Sequence, residues 1–141
     1  MKTALPYLVF LLLSVSEISL AQTKLWGVTS TGGTNGGGTI GYYDLSTSVW
    51  STEYSFVSSE GFIPTGSLSL YNGKLYGMTT KGGTSNKGVI FEYDPQTKIY
   101  TKKIDFTGDN GSTPFGSLTL FNDKFYGMTY GGGNGYGVTF E

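Results

Sequence analysis

Four stretches of this sequence have residue types and spacings that chemistry could use. Glu92 and Asp94 stand two apart in a β-type run, which puts both carboxylates on one face. Two carboxylates flanking a sugar can run acid/base glycoside chemistry. Fifty residues earlier, however, Tyr42 stands where Glu92 does, and Asp94 opens the turn Asp94-Pro95-Gln96-Thr97, whose first position favours Asp and whose second favours Pro. Asp105-Phe106-Thr107-Gly108-Asp109-Asn110-Gly111 gathers oxygen ligands as a calcium loop does. Its acidic positions do not follow the calcium-hand spacing, and its counterparts Ser55 and Ser59 leave only Glu60 acidic, so it reads as a solvated turn. Gly36 to Gly41 matches the dinucleotide pattern GxGxxG, but the chemistry needs those glycines to open a helix, and here they open a strand. Nor does a glycine-rich loop end in Gly-Lys-Ser/Thr. The aromatics Trp26, Tyr76 and Tyr126 recur at one position, as do Trp50 and Tyr100. Rings can stack on sugars, yet recurrence favours packing between sheets. Sugar contact fits better the loop aromatics that vary between copies, Phe62, Phe115, Tyr130 and Tyr136.

The chain has no His and no Cys, and no Arg occurs in it. Imidazole bases, thiolate nucleophiles and Cys/His metal sites are thereby excluded. No catalytic, cofactor-binding or metal-ligating residue is assigned; the expectation is a chain without enzymatic activity or cofactor.

The elements that must position these residues come from an internal repeat. Lys24–Gly73 aligns with Lys74–Asp123 at an offset of 50 without a gap, with 20 identities. They include Gly27/Gly77, Thr29/Thr79, Gly32-Gly33/Gly82-Gly83, Gly38/Gly88, Phe56/Phe106, Gly61/Gly111, Pro64/Pro114 and Gly66-Ser67-Leu68/Gly116-Ser117-Leu118. A third, truncated copy runs from Lys124 to Glu141 with one residue deleted before Gly137. Each unit predicts four strands. In the second unit they are Ser67–Tyr71, Lys74–Thr79, Gly88–Tyr93 and Lys98–Phe106, the last the longest. Asn72-Gly73 between the first two is a hairpin signal, since a type I′ turn needs φ > 0 twice. Gly108–Pro114 reads as the loop to the next unit, and mid-strand Gly77 and Gly127 require something packed close, expected to be an aromatic of the neighbouring sheet. No window has helical periodicity, so the fold class is all-β: four-stranded blades of about 50 residues in a partial β-propeller-like arc.

Leu75-Tyr76-Gly77-Met78-Thr79, then Gly82-Gly83, Gly88-Val89-Ile90-Phe91 and Tyr93-Asp94-Pro95, resembles the GloVer-type tandem repeat of bacterial choice-of-anchor surface proteins. The diglycine, the Tyr-Asp-Pro turn and Tyr100 are also similar to the broader kelch class. The resemblance implies export, a C-terminal sorting or anchoring domain, and non-catalytic repeats. No sorting domain stands in this sequence.

Residues 1–21 read as a signal peptide: Lys2, an apolar run from Ala4 to Val15, and small residues at Ser19 and Ala21 ahead of cleavage. That leaves 22–141 as the repeat region, with no membrane span after leader removal and 8 Lys against 9 acidic groups. So even a balance offers nothing to nucleic acid or an anionic membrane. The expectation is an exported surface or extracellular protein serving as an interaction or structural scaffold for a protein or carbohydrate ligand. The alternative is a blade fragment of a secreted carbohydrate-acting or carbohydrate-binding enzyme whose catalytic part lies outside this chain. Three, four and three strands make an open arc, expected to self-associate through its end faces. Its first unit lacks an inner strand ahead of Lys24, which a lone Gly-Ser-Leu-x-Leu-type strand returning from the far end of the array would supply.

Overall fold

A computed structural model describes residues 23–141; the signal peptide expected over residues 1–21 lies outside them. The described residues contain eleven strands and no helix. Sheet 1 has the order β1 (Lys24–Thr29), β2 (Thr39–Asp44), β3 (Val49–Ser55). Sheet 2 has the order β4 (Phe62–Tyr71), β5 (Lys74–Lys81), β6 (Val89–Asp94), β7 (Ile99–Asp105). In sheet 3, β10 (Lys124–Gly131) pairs with β11 (Thr139–Phe140) on one edge, and with β8 (Ser112–Pro114) and β9 (Thr119–Phe121) on the other. All pairings are antiparallel, and all but β8 with β10 join chain neighbours, as tight turns dictate.

The turns form for the reasons their residues supply. Asn72 and Gly73 both take positive φ, 50° and 76°. Asp94 Oδ1 accepts from the Gln96 and Thr97 amides at 2.8 and 3.2 Å, and Asp44 does the same for Ser46 at 2.8 Å. Each diglycine loop is fastened by a threonine at the end of the preceding strand. Thr79 Oγ1 donates to the Lys81 carbonyl and accepts from the Val89 amide; Thr29 and Thr129 make the corresponding bonds.

Two expectations are corrected. The inner strand of sheet 2 begins at Phe62 rather than Ser67, so β4, with ten residues, exceeds β7, with seven. Part of what reads as an inter-unit loop is strand, because Pro64 pairs opposite Thr79 and a bulge between Thr65 and Ser69 absorbs Gly66. In sheet 3 the same stretch is broken into β8 and β9 around Phe115 to Leu118. The second correction concerns the mid-strand glycines. Gly77 lies directly opposite Phe91 in the same sheet, and a Cβ there would meet Phe91 Cζ at 2.5 Å; Gly127 and Phe140 repeat this at 2.4 Å. The aromatic covering each glycine comes from the adjacent strand, not from the neighbouring sheet.

Alternation along the strands gives each sheet two apolar faces. One core joins sheets 1 and 2: Ile40, Phe56, Leu75, Phe91 and Tyr93, with Trp26, Tyr54, Leu68 and Tyr100 packed around it. A second joins sheets 2 and 3: Met78, Ile90, Phe106 and Leu118, with Tyr76, Phe125 and Phe140. The joints repeat as well. Pro64 closes against Gly38 and Pro114 against Gly88, where a Cβ would come within 2.7 and 2.6 Å of the proline Cδ. Ile63 N–H donates to the Gly37 carbonyl, and Thr113 N–H to that of Lys87.

Candidate functional site

The densest polar cluster sits on sheet 2 where it meets sheet 3. Tyr76 on β5 and Glu92 on β6 are directly opposed, and Lys74 stands two residues before Tyr76 on the same face. Glu92 is buried, and its carboxylate is fully engaged. Lys74 Nζ donates to Oε1 at 2.7 Å, the Tyr76 hydroxyl donates to Oε2 at 2.8 Å, and Lys103 Nζ lies 3.6 Å from Oε2. The bond from Lys74, helped by Tyr76 and Lys103, holds Glu92 below the usual carboxylate range although burial pushes the other way. Burial, then the anion beside it, lifts the Tyr76 phenol to about 12, and Glu92 raises Lys74. A general acid or base works best with a pKa near the operating pH. Here Lys74, Tyr76 and Glu92 are each driven away from neutrality, so near pH 7 they clamp two strands and hold their protons fixed.

The cluster recurs. In sheet 3, Lys124 and Tyr126 donate to the two oxygens of Glu141. In sheet 1, Tyr42 replaces the carboxylate: Lys24 Nζ sits 4.0 Å over its ring, and Trp26 packs 5.0 Å away. A cation on a ring keeps the lysine engaged once the anion is lost. Beside Glu92, between sheets 2 and 3, lies an apolar hollow of about 330 Å³ walled by Ile90, Ile104, Phe125 and Phe140, with Lys103 and Lys124 at its rim.

The other chemistry-bearing residues are dispersed. Asp94 is spent on its turn, so Glu92 and Asp94 make no working pair. Asp105 accepts from the Thr84 amide at 3.0 Å and pairs with Lys102 at 2.9 Å, while Asn110 closes its loop through Thr107 and the Asp105 carbonyl. Among the described residues no three His, Cys, Asp or Glu come together as metal ligands. The GxGxxG stretch runs into β2, and Gly38, at φ 96°, leaves no room for a Cβ beside the Thr29 carbonyl at 2.2 Å.

Of the recurrent aromatics, Trp26, Tyr76 and Tyr100 pack between sheets as their recurrence implied, whereas Trp50 and Tyr126 lie exposed on the outer faces of sheets 1 and 3. Tyr100 stacks on Tyr54 at 4.2 Å and donates to the Glu60 carbonyl at 2.5 Å; Tyr76 meets Phe125 at 4.6 Å. Of the variable aromatics, Phe62 is half-buried over Gly37, whereas Phe115, Tyr130 and Tyr136 stand in solvent, the last two 82% and 95% exposed. The Lys-Tyr-Glu cluster is what sequence reasoning missed. Its signal was present in the pairs Lys74/Tyr76 and Lys124/Tyr126, each with a Glu one strand later, and needed only the strand register to be read.

No curated protein and no solved structure matches this chain. A family model does: that of the Gloeobacter/Verrucomicrobia repeat, over residues 14–141. With nearly the whole chain matched, and with one strand and diglycine-loop pattern recurring in three sheets, the protein belongs to the Gloeobacter/Verrucomicrobia repeat family.

Proposed function

We propose that this chain is an exported, non-catalytic repeat protein that works as a structural or interaction scaffold, its sheets stacked as consecutive blades of a propeller-like arc. The observation that carries the reading is the fate of the polar groups: Glu92, Asp94 and Asp105 are each bound within the repeat, leaving apolar surface as what the ends of the stack offer. On the outer face of sheet 1, Leu25, Tyr43 and Trp50 are exposed; on that of sheet 3, Tyr126, Met128 and Tyr130 are. These faces are the register equivalents of faces that are buried at the internal joints, so each is shaped to receive another sheet. Repeat arrays need covered ends to remain soluble, and an isolated chain therefore self-associates. Sedimentation velocity over a hundredfold concentration range tests this: a rising mean mass, lowered by Met128→Asp, is expected. A strictly monomeric sample with a sharp, cooperative melt overturns it. Fractionation of a Gram-negative host expressing the tagged chain tests export, with the product expected outside the cytoplasm.

A second reading, carbohydrate binding, draws on Tyr130 and Tyr136, whose open rings are the form sugar platforms take. Polysaccharide retention that disappears in Tyr130→Ala/Tyr136→Ala would favour it over a purely structural role.

A further inference from the structure

Each sheet has two unlike faces. The front face carries Trp26, Tyr76 or Tyr126, and the back face carries Leu25, Leu75 or Phe125, one residue earlier on the same strand. Both internal joints set a front face against a back face. Between sheets 1 and 2, Trp26 meets Tyr93 at 5.8 Å; between sheets 2 and 3, Tyr76 meets Phe125 at 4.6 Å. Among the described residues, one face of each kind is left over. The outer face of sheet 1 is a back face, with Leu25, Tyr43 and Trp50 in register across its strands. The outer face of sheet 3 is a front face, with Phe121, Tyr126 and Met128.

The two left-over faces keep what a joint needs. At the joint of sheets 2 and 3, the Phe125 ring sits between Tyr71, at 5.9 Å, and Tyr76, at 4.6 Å. Phe121 and Tyr126 stand at the matching places on sheet 3, both exposed, beside an open hollow of about 390 Å³ lined by Tyr126, Met128 and Thr139. On sheet 1, Gly41 stands where sheet 2 has Phe91, which takes a ring from the back face. Trp50 replaces it. Its indole lies across the sheet, where a Cβ on Gly41 would meet it at 2.6 Å and one on Gly27 at 3.9 Å, so Gly27 has an aromatic cover as Gly77 has in Phe91. Charge does not oppose the contact either. Lys124 and Glu141 on the sheet 3 face are paired with each other, as Lys74 and Glu92 are at the joint of sheets 2 and 3. Leu25, Gly27, Gly41, Tyr43, Trp50 and Thr52 bring none, so closing the two faces would strand no unpaired charge.

We propose that the front face of sheet 3 receives the back face of sheet 1 of a second copy, so that copies of this chain join head to tail in the register of the internal joints. Leu25 of the second copy then sits between Phe121 and Tyr126, as Phe125 sits between Tyr71 and Tyr76. Tyr43 of that copy lies on Tyr126, as Tyr93 lies on Trp26. The contact rests on the scaffold reading, in which the ends of the stack attract further sheets, and adds which end meets which. Because the two faces differ, the contact is heterologous: it runs on from copy to copy or closes into a ring, and it does not stop at a two-fold dimer.

The test is sedimentation of the full chain and of two variants, apart and mixed. Leu25→Asp blocks the back face of sheet 1, and Met128→Asp blocks the front face of sheet 3. Both side chains are more than half exposed, so neither change enters a core, and an unchanged melt in dilute samples checks that each variant folds. Alone, each variant should stay monomeric where the parent chain associates, its association weakened about tenfold or more by a charge set into the contact. An equimolar mixture should form a species of twice the chain mass and nothing larger. The intact sheet 1 face of the Met128→Asp copy meets the intact sheet 3 face of the Leu25→Asp copy, and both remaining ends are blocked. Whether the parent series runs on or stops at a ring, the mixture stops at two. A variant that pairs with itself as well as the parent does, or a mixture no heavier than its parts, overturns the head-to-tail contact and leaves self-association standing. A parent chain that is monomeric at every concentration overturns both the contact and the reading beneath it.

Discussion

Sheets 1 and 3 are built from the same repeat as sheet 2, yet identical register positions meet opposite environments. Leu75 is 4% exposed and its counterpart Leu25 56%; Met78 is 1% exposed and Met128 62%. The side chains are the same, so the difference is set by what surrounds them: the facing sheet and, for Leu75, the flanking strand β4 that Leu25 lacks among the described residues. A small antiparallel sheet of this kind stabilises itself through its ladders and turns, but its hydrophobic return comes only when both faces are covered. The middle sheet is therefore the anchor of the described chain, and substitutions at matched positions should separate what a sheet holds by itself from what its neighbours add.

The largest contrast is expected at the covered aromatic. Phe91 is fully buried, lies over Gly77 and meets Phe56 edge-on at 5.2 Å. Phe91→Ala should cost about 3–5 kcal/mol and unfold much of the chain at room temperature. At the matched methionines, Met78→Ala should cost about 2–4 kcal/mol and Met128→Ala less than about 1 kcal/mol in a monomeric sample. Urea titration of each variant checks this. Equal losses at Met78 and Met128 would mean that the outer face of sheet 3 is covered in solution.

Much of this comparison was legible in the residues, and the rest failed for definable reasons. The offset of 50 and the turn chemistries of Asn72-Gly73 and Asp94-Pro95 carried the strand count of sheets 1 and 2 and the pairing of neighbours there, because short antiparallel ladders are set by local signals; sheet 3 has four strands where three were expected, since its inner strand is split into β8 and β9. Phe62 to Gly66 was illegible as strand, since Pro64 and Gly66 look like loop residues until the bulge that accommodates them is seen. That Phe91 covers Gly77 from the adjacent strand follows from cross-strand register, which no single-strand pattern carries. The Lys74-Tyr76-Glu92 cluster was hidden for the same reason. Glu92 was read with Asp94, its neighbour along the chain, whereas its partners lie across the ladder.

That cluster gives the next prediction. Glu92 has a carboxyl held below its ordinary value of 4.5, so its contribution is present above that pH and is lost as pH falls through the lower, folded value. Stability should decline below about pH 4.5, and Glu92→Gln, roughly 1–2 kcal/mol less stable at pH 7, should decline less steeply over that window. Chemical unfolding at pH 7, 5, 4 and 3 measures both slopes; parallel curves would remove Glu92 from the account. A smaller effect belongs to Tyr100→Phe, which deletes the bond to the Glu60 carbonyl across the joint of sheets 1 and 2. About 1 kcal/mol is expected, with the stacked ring left in place against Tyr54.

The smallest effect reads the two joints against each other. Ile63 and Thr113 occupy matched positions before Pro64 and Pro114, and both take left-handed backbone, at φ 57° and 53°. β-Branched residues are outliers there, because the branched Cβ crowds the backbone. What holds each in place is the repeated bond from its amide to the preceding loop, to Gly37 in one joint and Lys87 in the other, at 2.9 and 2.8 Å. Asn is far better suited to this backbone. If the strain is alike in both joints, Thr113→Asn should stabilise by up to about 1 kcal/mol, since a small, half-exposed polar side chain gives way to another. Ile63→Asn relieves the same strain but gives up a partly buried aliphatic chain, so it should be neutral or slightly destabilising. The difference between the two variants isolates packing at the first joint from a backbone term common to both. A loss at both sites, measured as a fall in the urea midpoint at unchanged slope, would show that these side chains contribute more in contact than their backbones cost in strain.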